Sequence, residues 1–371
     1  MYGRSRSIES DSLQYTPNFF ALPQKNSTEW KNMVQYHLEK IIFMFMYKIL
    51  VTRTIPEEGL TMLRNAGYEV EVWDRPSPMS REEFLRSLGD VHGLISLVTE
   101  RIDAEAIAAA PLLKVVANYR SHFDNFDIWA ATQRGVALTY VPMGIQDAIA
   151  EYVIGTMITL SRQIIAANTF VHEGQYKRWE PMNFQGTGMK GKTMGILGFG
   201  KVGRRVGEIA NALGMEVLYT DEETKKVTYP AARRELADML AHADVLSIHL
   251  PPLPTTISLI GAKELHIMKE GSIVINCSRG LAVDESSLVQ HLRSGRLGGA
   301  ILDVFQCENL QECGPNDHTE LKNMPNVIMT PEIASSTKEA RAYMSTTVAQ
   351  SIIHVLSGKK PEFVINPEVF D

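Results

Sequence analysis

The sequence predicts an α/β protein built as two doubly wound parallel-sheet domains with a ligand cleft between them. Three observations predict it. From Tyr47 short apolar strands alternate with amphipathic helices; at Gly198 a glycine-rich loop joins an apolar strand to a helix; and a second alternating series runs on from there to residue 330. Such alternation gives parallel sheets covered by helices, and ligands settle beyond the carboxyl ends of the strands.

The first series reads as strands over 48–52, 69–73, 93–97 and 113–117, with helices over 56–66, 80–88 and 104–109 between them. A long helix starting near Asp147 leads to the second series, with strands over 193–197, 216–220, 245–250, 272–276, 299–302 and 327–330. The last helix, 336–356, returns toward the first series. This divides the chain into one domain of residues 46–147 plus 335–371 and another of 148–334. Residues 1–45 are mostly polar and form an extension without a core, and Met44 or Met46 is a candidate natural start.

The glycine loop carries the first functional signal. In Gly198-Phe199-Gly200-Lys201-Val202-Gly203, Gly198 makes the tight turn, Gly200 admits a pyrophosphate and Gly203 lets helix and strand pack closely. The helix that follows places Val202, Val206, Ile209, Ala210 and Leu213 on one face. The next strand ends at Asp221, where a carboxylate accepts both ribose hydroxyls and favours NAD over NADP. Asp221 and Glu222 would repel a 2′-phosphate, although Lys225 and Lys226 stand close by.

Composition excludes several classes. With 371 residues and 44% hydrophobic content the chain can bury two cores, and a net charge of -6 offers nothing to hold nucleic acid or an anionic membrane. Cys277, Cys307 and Cys313 show no paired metal spacing and no disulfide framework, which points to a reducing cytoplasm and no metal site. The apolar run 41–51 is far shorter than the roughly 20 residues that span a bilayer.

Further motifs follow in order: Val116-Ala117-Asn118-Tyr119, Phe123-Asp124-Asn125, His249-Leu250-Pro251, Ile275-Asn276-Cys277-Ser278-Arg279-Gly280, Leu302-Asp303-Val304-Phe305, and Thr330-Pro331 before Ile333-Ala334. With the glycine loop, they make residues 47–371 resemble the D-isomer-specific 2-hydroxyacid dehydrogenases, the glyoxylate/hydroxypyruvate reductase branch in particular. The resemblance implies a flavodoxin-like substrate domain, a Rossmann NAD-binding domain, and interconversion of a small anionic 2-oxo acid and its D-2-hydroxy acid. It implies that Arg279 grips the substrate carboxylate with its planar fork and that Glu308 supports the acid–base residue. Lys201, Val202, His249, Leu250, Pro251, Thr256, Cys277, Ser278 and Asp303 would line the cofactor, Asp303 facing the nicotinamide carboxamide. Val98 and Thr99 would close over the substrate, and residues 170–188 resemble an arm that forms twofold homodimers.

Two departures stand out. Where the family has its catalytic histidine this chain has Glu332, a carboxylate that delivers a proton only if its pKa is raised, as a second carboxylate such as Glu308 at close range would do. Where the family has a glycine-like turn whose amides cradle the substrate, the chain has Arg120-Ser121-His122. Arg120 or His122 either pairs with Glu332 or binds a second anionic group of the substrate, such as a dicarboxylate or hydroxyphosphonate. His122 is also a candidate proton donor. A protein that keeps NAD binding and has lost turnover is the remaining reading.

Overall fold

A computed structural model describes residues 47–97, 99–251, 253–306 and 319–371. The first sheet contains β1 (Lys48–Val51), β2 (Glu69–Val72), β3 (Gly93–Ser96), β4 (Val115–Asn118) and β5 (Ala137–Thr139), all parallel, in the order β2-β1-β3-β4-β5. Helices α1 (Glu57–Asn65), α2 (Arg81–Ser87), α3 (Ala104–Ala109) and α4 (Ile128–Gln133) make the crossovers. Their starts are written locally: Ser80 closes a capping box with Glu83, and Asp103 and Asp127 accept backbone N–H groups at the next two helix ends.

Helices α5 (Gln146–Ser161) and α6 (Ile164–His172) lead to the second sheet. It contains β6 (Thr193–Leu197), β7 (Glu216–Thr220), β8 (Ala232–Arg233), β9 (Val245–Ile248), β10 (Ser272–Asn276), β11 (Leu297–Leu302) and β12 (Val327–Met329). All are parallel, in the order β12-β11-β10-β9-β6-β7-β8, with α7 (Lys201–Ala212), α8 (Leu236–His242), α9 (Ala262–Ile267), α10 (Glu285–Arg293) and α11 (Thr319–Lys322) in the connections. The last helix, α12 (Lys338–Leu356), packs on α1 and β4. Gly59 permits that approach: a Cβ there would lie 2.2 Å from the Ser345 carbonyl oxygen.

Apolar side chains cover both faces of both sheets, so central strands such as β3 and β6 are buried along their whole length, whereas the edge strand β2 alternates. Each sheet reverses its strand order once, around β1 and β3 in the first and around β6 and β9 in the second. The loops after those strands open the crevices where α/β sheets bind ligands.

The sequence reading passes over α4, β5, β8, α8, α9, α10 and α11, all of them shorter than the roughly 11 residues over which a helical period is read. The arm expected over 170–188 as an irregular segment begins inside α6, and Trp179 and Met182 within it are 75% and 73% exposed. Among the described residues no helix is long and apolar enough to cross a membrane, and no group of three or more side chains is arranged to hold a metal.

Candidate active site

The glycine loop sits at the carboxyl end of β6. Gly198 has φ 89°, and a Cβ on it would lie 2.4 Å from the His249 carbonyl oxygen, because β9 runs alongside. A Cβ on Gly203 would lie 2.2 Å from the Gly198 carbonyl oxygen. Gly200 differs: a Cβ there would meet nothing within 4 Å. The protein's own packing needs the first and third glycines. The second borders open space at the N-terminus of α7, where backbone N–H groups attract a phosphate.

Asp221, just beyond β7, accepts the Phe199 backbone N–H at 2.7 Å, which ties the end of β7 to the loop. Its carboxylate remains partly exposed, with the Lys225 ammonium 3.8 Å away. Arg233 donates to the Asp221 and Glu222 carbonyl oxygens at 2.9 and 3.3 Å, bringing a cation to the acidic strand end that only the pairing of β8 with β7 reveals. Burial pushes His249 down to about 4, so its ring is neutral at pH 7 and shares a hydrogen bond with Ser247 Oγ at 2.8 Å. Thr256 turns its hydroxyl inward to the Pro251 and Leu253 carbonyl oxygens, and half-buried Leu250 packs against the core. Lys201 is exposed at the first turn of α7, and Val202 packs beside the core. These residues fit a dinucleotide: a turn with space at its second glycine, a helix N-terminus and a carboxylate one strand away.

The other end of the crevice is a cleft of about 450 Å³ between the two sheets. Its walls carry Arg120, Ser121 and His122 after β4, Cys277, Ser278 and Arg279 after β10, Asp303 after β11 and Glu332 after β12. Arg279 donates from Nη2 to Asp124 at 3.1 Å, and Arg120 donates from Nη2 to Glu332 at 3.0 Å. Ser278 is anchored to Asn276 through its N–H and hydroxyl, both 3.1 Å. Burial raises the Cys277 thiol, with Asp303 adding to the effect, so Cys277 stays a neutral thiol.

Glu332 adopts a left-handed backbone, φ 55°, uncommon for a residue with a side chain. The turn that imposes it is held by Asp303, whose carboxylate accepts from the Thr330 hydroxyl at 2.6 Å and from the Ile333 and Ala334 N–H groups at 2.8 Å each. The Glu332 N–H in turn donates to the Asp303 carbonyl oxygen at 3.0 Å. Asp303 thus braces the turn that aims Glu332.

His122 lies within electrostatic reach of both arginines. Burial, then the Arg279 and Arg120 guanidiniums, push its imidazole down to about 4, with Asp124 opposing. With a pKa near 4 the imidazole is neutral at pH 7. Thr99 is exposed and gives its hydroxyl to Glu100 at 2.5 Å, while Leu97 lines the cleft. Val98 and Glu308 lie outside the described residues.

The sequence reading misses the network beneath these loops. Glu100, 4% exposed, accepts from Thr52 Oγ at 2.6 Å and the Leu97 N–H at 2.9 Å. Asn125 donates to the Leu97 and Glu100 carbonyl oxygens at 3.2 and 2.8 Å, and Asn118 donates to the His122 carbonyl oxygen. A single acidic letter after Thr99 gives no sign of burial, so only the structure could find Glu100.

Two doubly wound domains with a nucleotide-fitting glycine loop and a cationic cleft define a nicotinamide-dependent dehydrogenase. Residues 154–334 match the NAD-binding domain of the D-isomer-specific 2-hydroxyacid dehydrogenases. The chain is 37% identical over 329 residues to the glyoxylate reductase of Thermococcus litoralis, covering 87% of this chain and 97% of that one. The crystal structure of the TT0316 protein from Thermus thermophilus superimposes with a TM-score of 0.80 at 34% identity, over 86% of this chain and 99% of that one. An NADPH-dependent glyoxylate/hydroxypyruvate reductase from Sinorhizobium meliloti, solved with NADP and malonate, gives 0.73 at 25% identity, over 88% and 98%. The chain belongs to the D-isomer-specific 2-hydroxyacid dehydrogenase family and uses a nicotinamide cofactor, NAD(H).

Proposed function

We propose that the protein interconverts a small 2-oxo acid and its D-2-hydroxy acid, with Arg279 holding the carboxylate and Glu332 exchanging the proton. The observation that carries this is the meeting, in one cleft, of a nearly buried Arg279 with a carboxylate already on its guanidinium. With its pyrophosphate at the glycine loop, a nicotinamide cofactor would supply hydride exchange at the substrate carbon. Residues 148–334 would hold it, residues 46–147 and 335–371 the substrate; the packing of α12 on α1 and β4 supports that division.

Arg120 donates to the Glu332 carboxylate and fixes it at the cleft wall. Neutral His122 is a second acceptor in the same cleft. In oxidation such an acceptor takes the proton of the substrate hydroxyl, and in reduction the protonated group returns it. Asp221 supports NAD over NADP, tempered by Arg233 and Lys225. Exposed Ile164, Ile165, Val171 and Trp179 around α6 support a twofold contact between copies.

The test follows nicotinamide absorbance with glyoxylate, hydroxypyruvate, pyruvate, oxaloacetate and 2-oxoglutarate, and with their hydroxy acids. Turnover that falls by roughly 10²-fold in Glu332→Gln supports the assignment of the proton to Glu332. Silence with every acid, in protein that binds NADH, refutes the reading.

A further inference from the structure

The cleft holds two ion pairs of one design. In each, a nearly buried guanidinium meets a carboxylate that stands half in solvent: Arg279 with Asp124, side chains 10% and 54% exposed, and Arg120 with Glu332, 14% and 54%. Both pairs cross between the sheets. Arg120 and Asp124 follow β4, whereas Arg279 and Glu332 follow β10 and β12. His122 lies within electrostatic reach of both cations and of Asp124, which places the two pairs around one imidazole.

We propose that Asp124 and Glu332 stand where two substrate carboxylates bind, so that the site takes a dicarboxylic 2-hydroxy or 2-oxo acid, one carboxylate on Arg279 and the other on Arg120. This rests on the reading of Arg279 given above. In each pair the guanidinium is the enclosed partner and the carboxylate the one that can turn out into water. The exchange is balanced in charge: two carboxylates leave two cations and two arrive. A planar fork that already accepts a carboxylate needs no rebuilding to accept another. A monocarboxylic acid would displace only Asp124 and leave Arg120 with Glu332, gaining nothing from the second cation. Glu332 then has two tasks, and a bound dicarboxylate frees it from Arg120 to act on the hydroxyl.

The experiment is calorimetric titration of the full-length chain, saturated with NADH so that no hydroxy acid can be oxidised. D-malate is compared with D-2-hydroxybutyrate, which has the same shape with a methyl in place of the second carboxylate. D-malate is expected to bind roughly tenfold tighter or better, the yield of one added charge-assisted contact. Arg120→Ala is expected to abolish that preference and leave D-2-hydroxybutyrate within about twofold of its original affinity. Glu332→Gln, which removes the competing charge, is expected to tighten D-malate more than D-2-hydroxybutyrate. NADH binding in the same cell reports that each variant is folded. Equal affinity for the two acids, or an Arg120→Ala variant that weakens both alike, overturns the proposal and leaves the role of Arg279 standing. No heat from either acid in protein that binds NADH overturns both.

Discussion

The two ends of the crevice are built on different plans. At the cofactor end the decisive residues are neighbours in sequence: Gly198, Gly200 and Gly203 lie within one turn and helix, and Phe199 reaches Asp221 only one strand later. At the substrate end the decisive contacts join distant parts of the chain, Asp124 with Arg279 and Arg120 with Glu332. The difference teaches that a site made by one segment is specified by local backbone geometry, whereas a site made between two sheets is specified by how their strand ends face each other.

Arg279→Ala breaks the comparison most sharply. It should lower kcat/KM by roughly 10³-fold, about 4 kcal/mol of lost transition-state binding, and leave NADH affinity unchanged. Steady-state kinetics beside a fluorescence titration of NADH checks both halves. Equal losses in the two would mean that the ends are not separable.

Gly203→Ala should act on the fold rather than on either ligand. Its Cβ would lie 2.2 Å from the Gly198 carbonyl oxygen, so strand and helix must part, at a cost of roughly 2–4 kcal/mol. A fall in Tm by calorimetry is the expected signature.

One histidine at each end allows the ends to be compared by pH. His122 and His249 both lie near 4 in the folded chain, below the ordinary value of about 6.5. The unfolded chain therefore binds more protons between those values, so their contribution is fully present above about pH 6.5 and is lost as pH falls toward 4. The combined loss is on the order of a few kcal/mol. Urea unfolding across that range should steepen on the acid side, and His122→Asn and His249→Asn should each remove part of the slope.

The smallest effect belongs to Gly200→Ala. With nothing within 4 Å of the added methyl, Tm should hold, while NADH affinity falls by about tenfold as the methyl enters the pyrophosphate space. A drop in Tm equal to that of Gly203→Ala would show that the second glycine also serves the fold.

Much of the fold was legible because both sheets are buried on both faces, so their strands appear as short apolar runs at regular intervals, and Ser80 marks a helix start in plain letters. The elements passed over, such as β8 with two residues, are stabilised by neighbours rather than by their own pattern. In the site, Gly198 and Gly203 could be assigned because a positive φ and a close approach demand glycine whatever surrounds them. Arg120, His122 and Glu332 could be located but not assigned, since a charged letter does not disclose its partner.

The sequence by itself determined two doubly wound domains and the glycine turn that fits a dinucleotide. These follow from periodicity and from backbone sterics, which act over a few residues. Only the tertiary structure decided that Glu332 meets Arg120, that Asp303 braces the Glu332 turn, that His122 is neutral, and that a buried Glu100 supports the loop at Leu97. Charge and desolvation depend on what lies within a few ångströms in space, and in this protein those neighbours come from strand ends far apart in the chain.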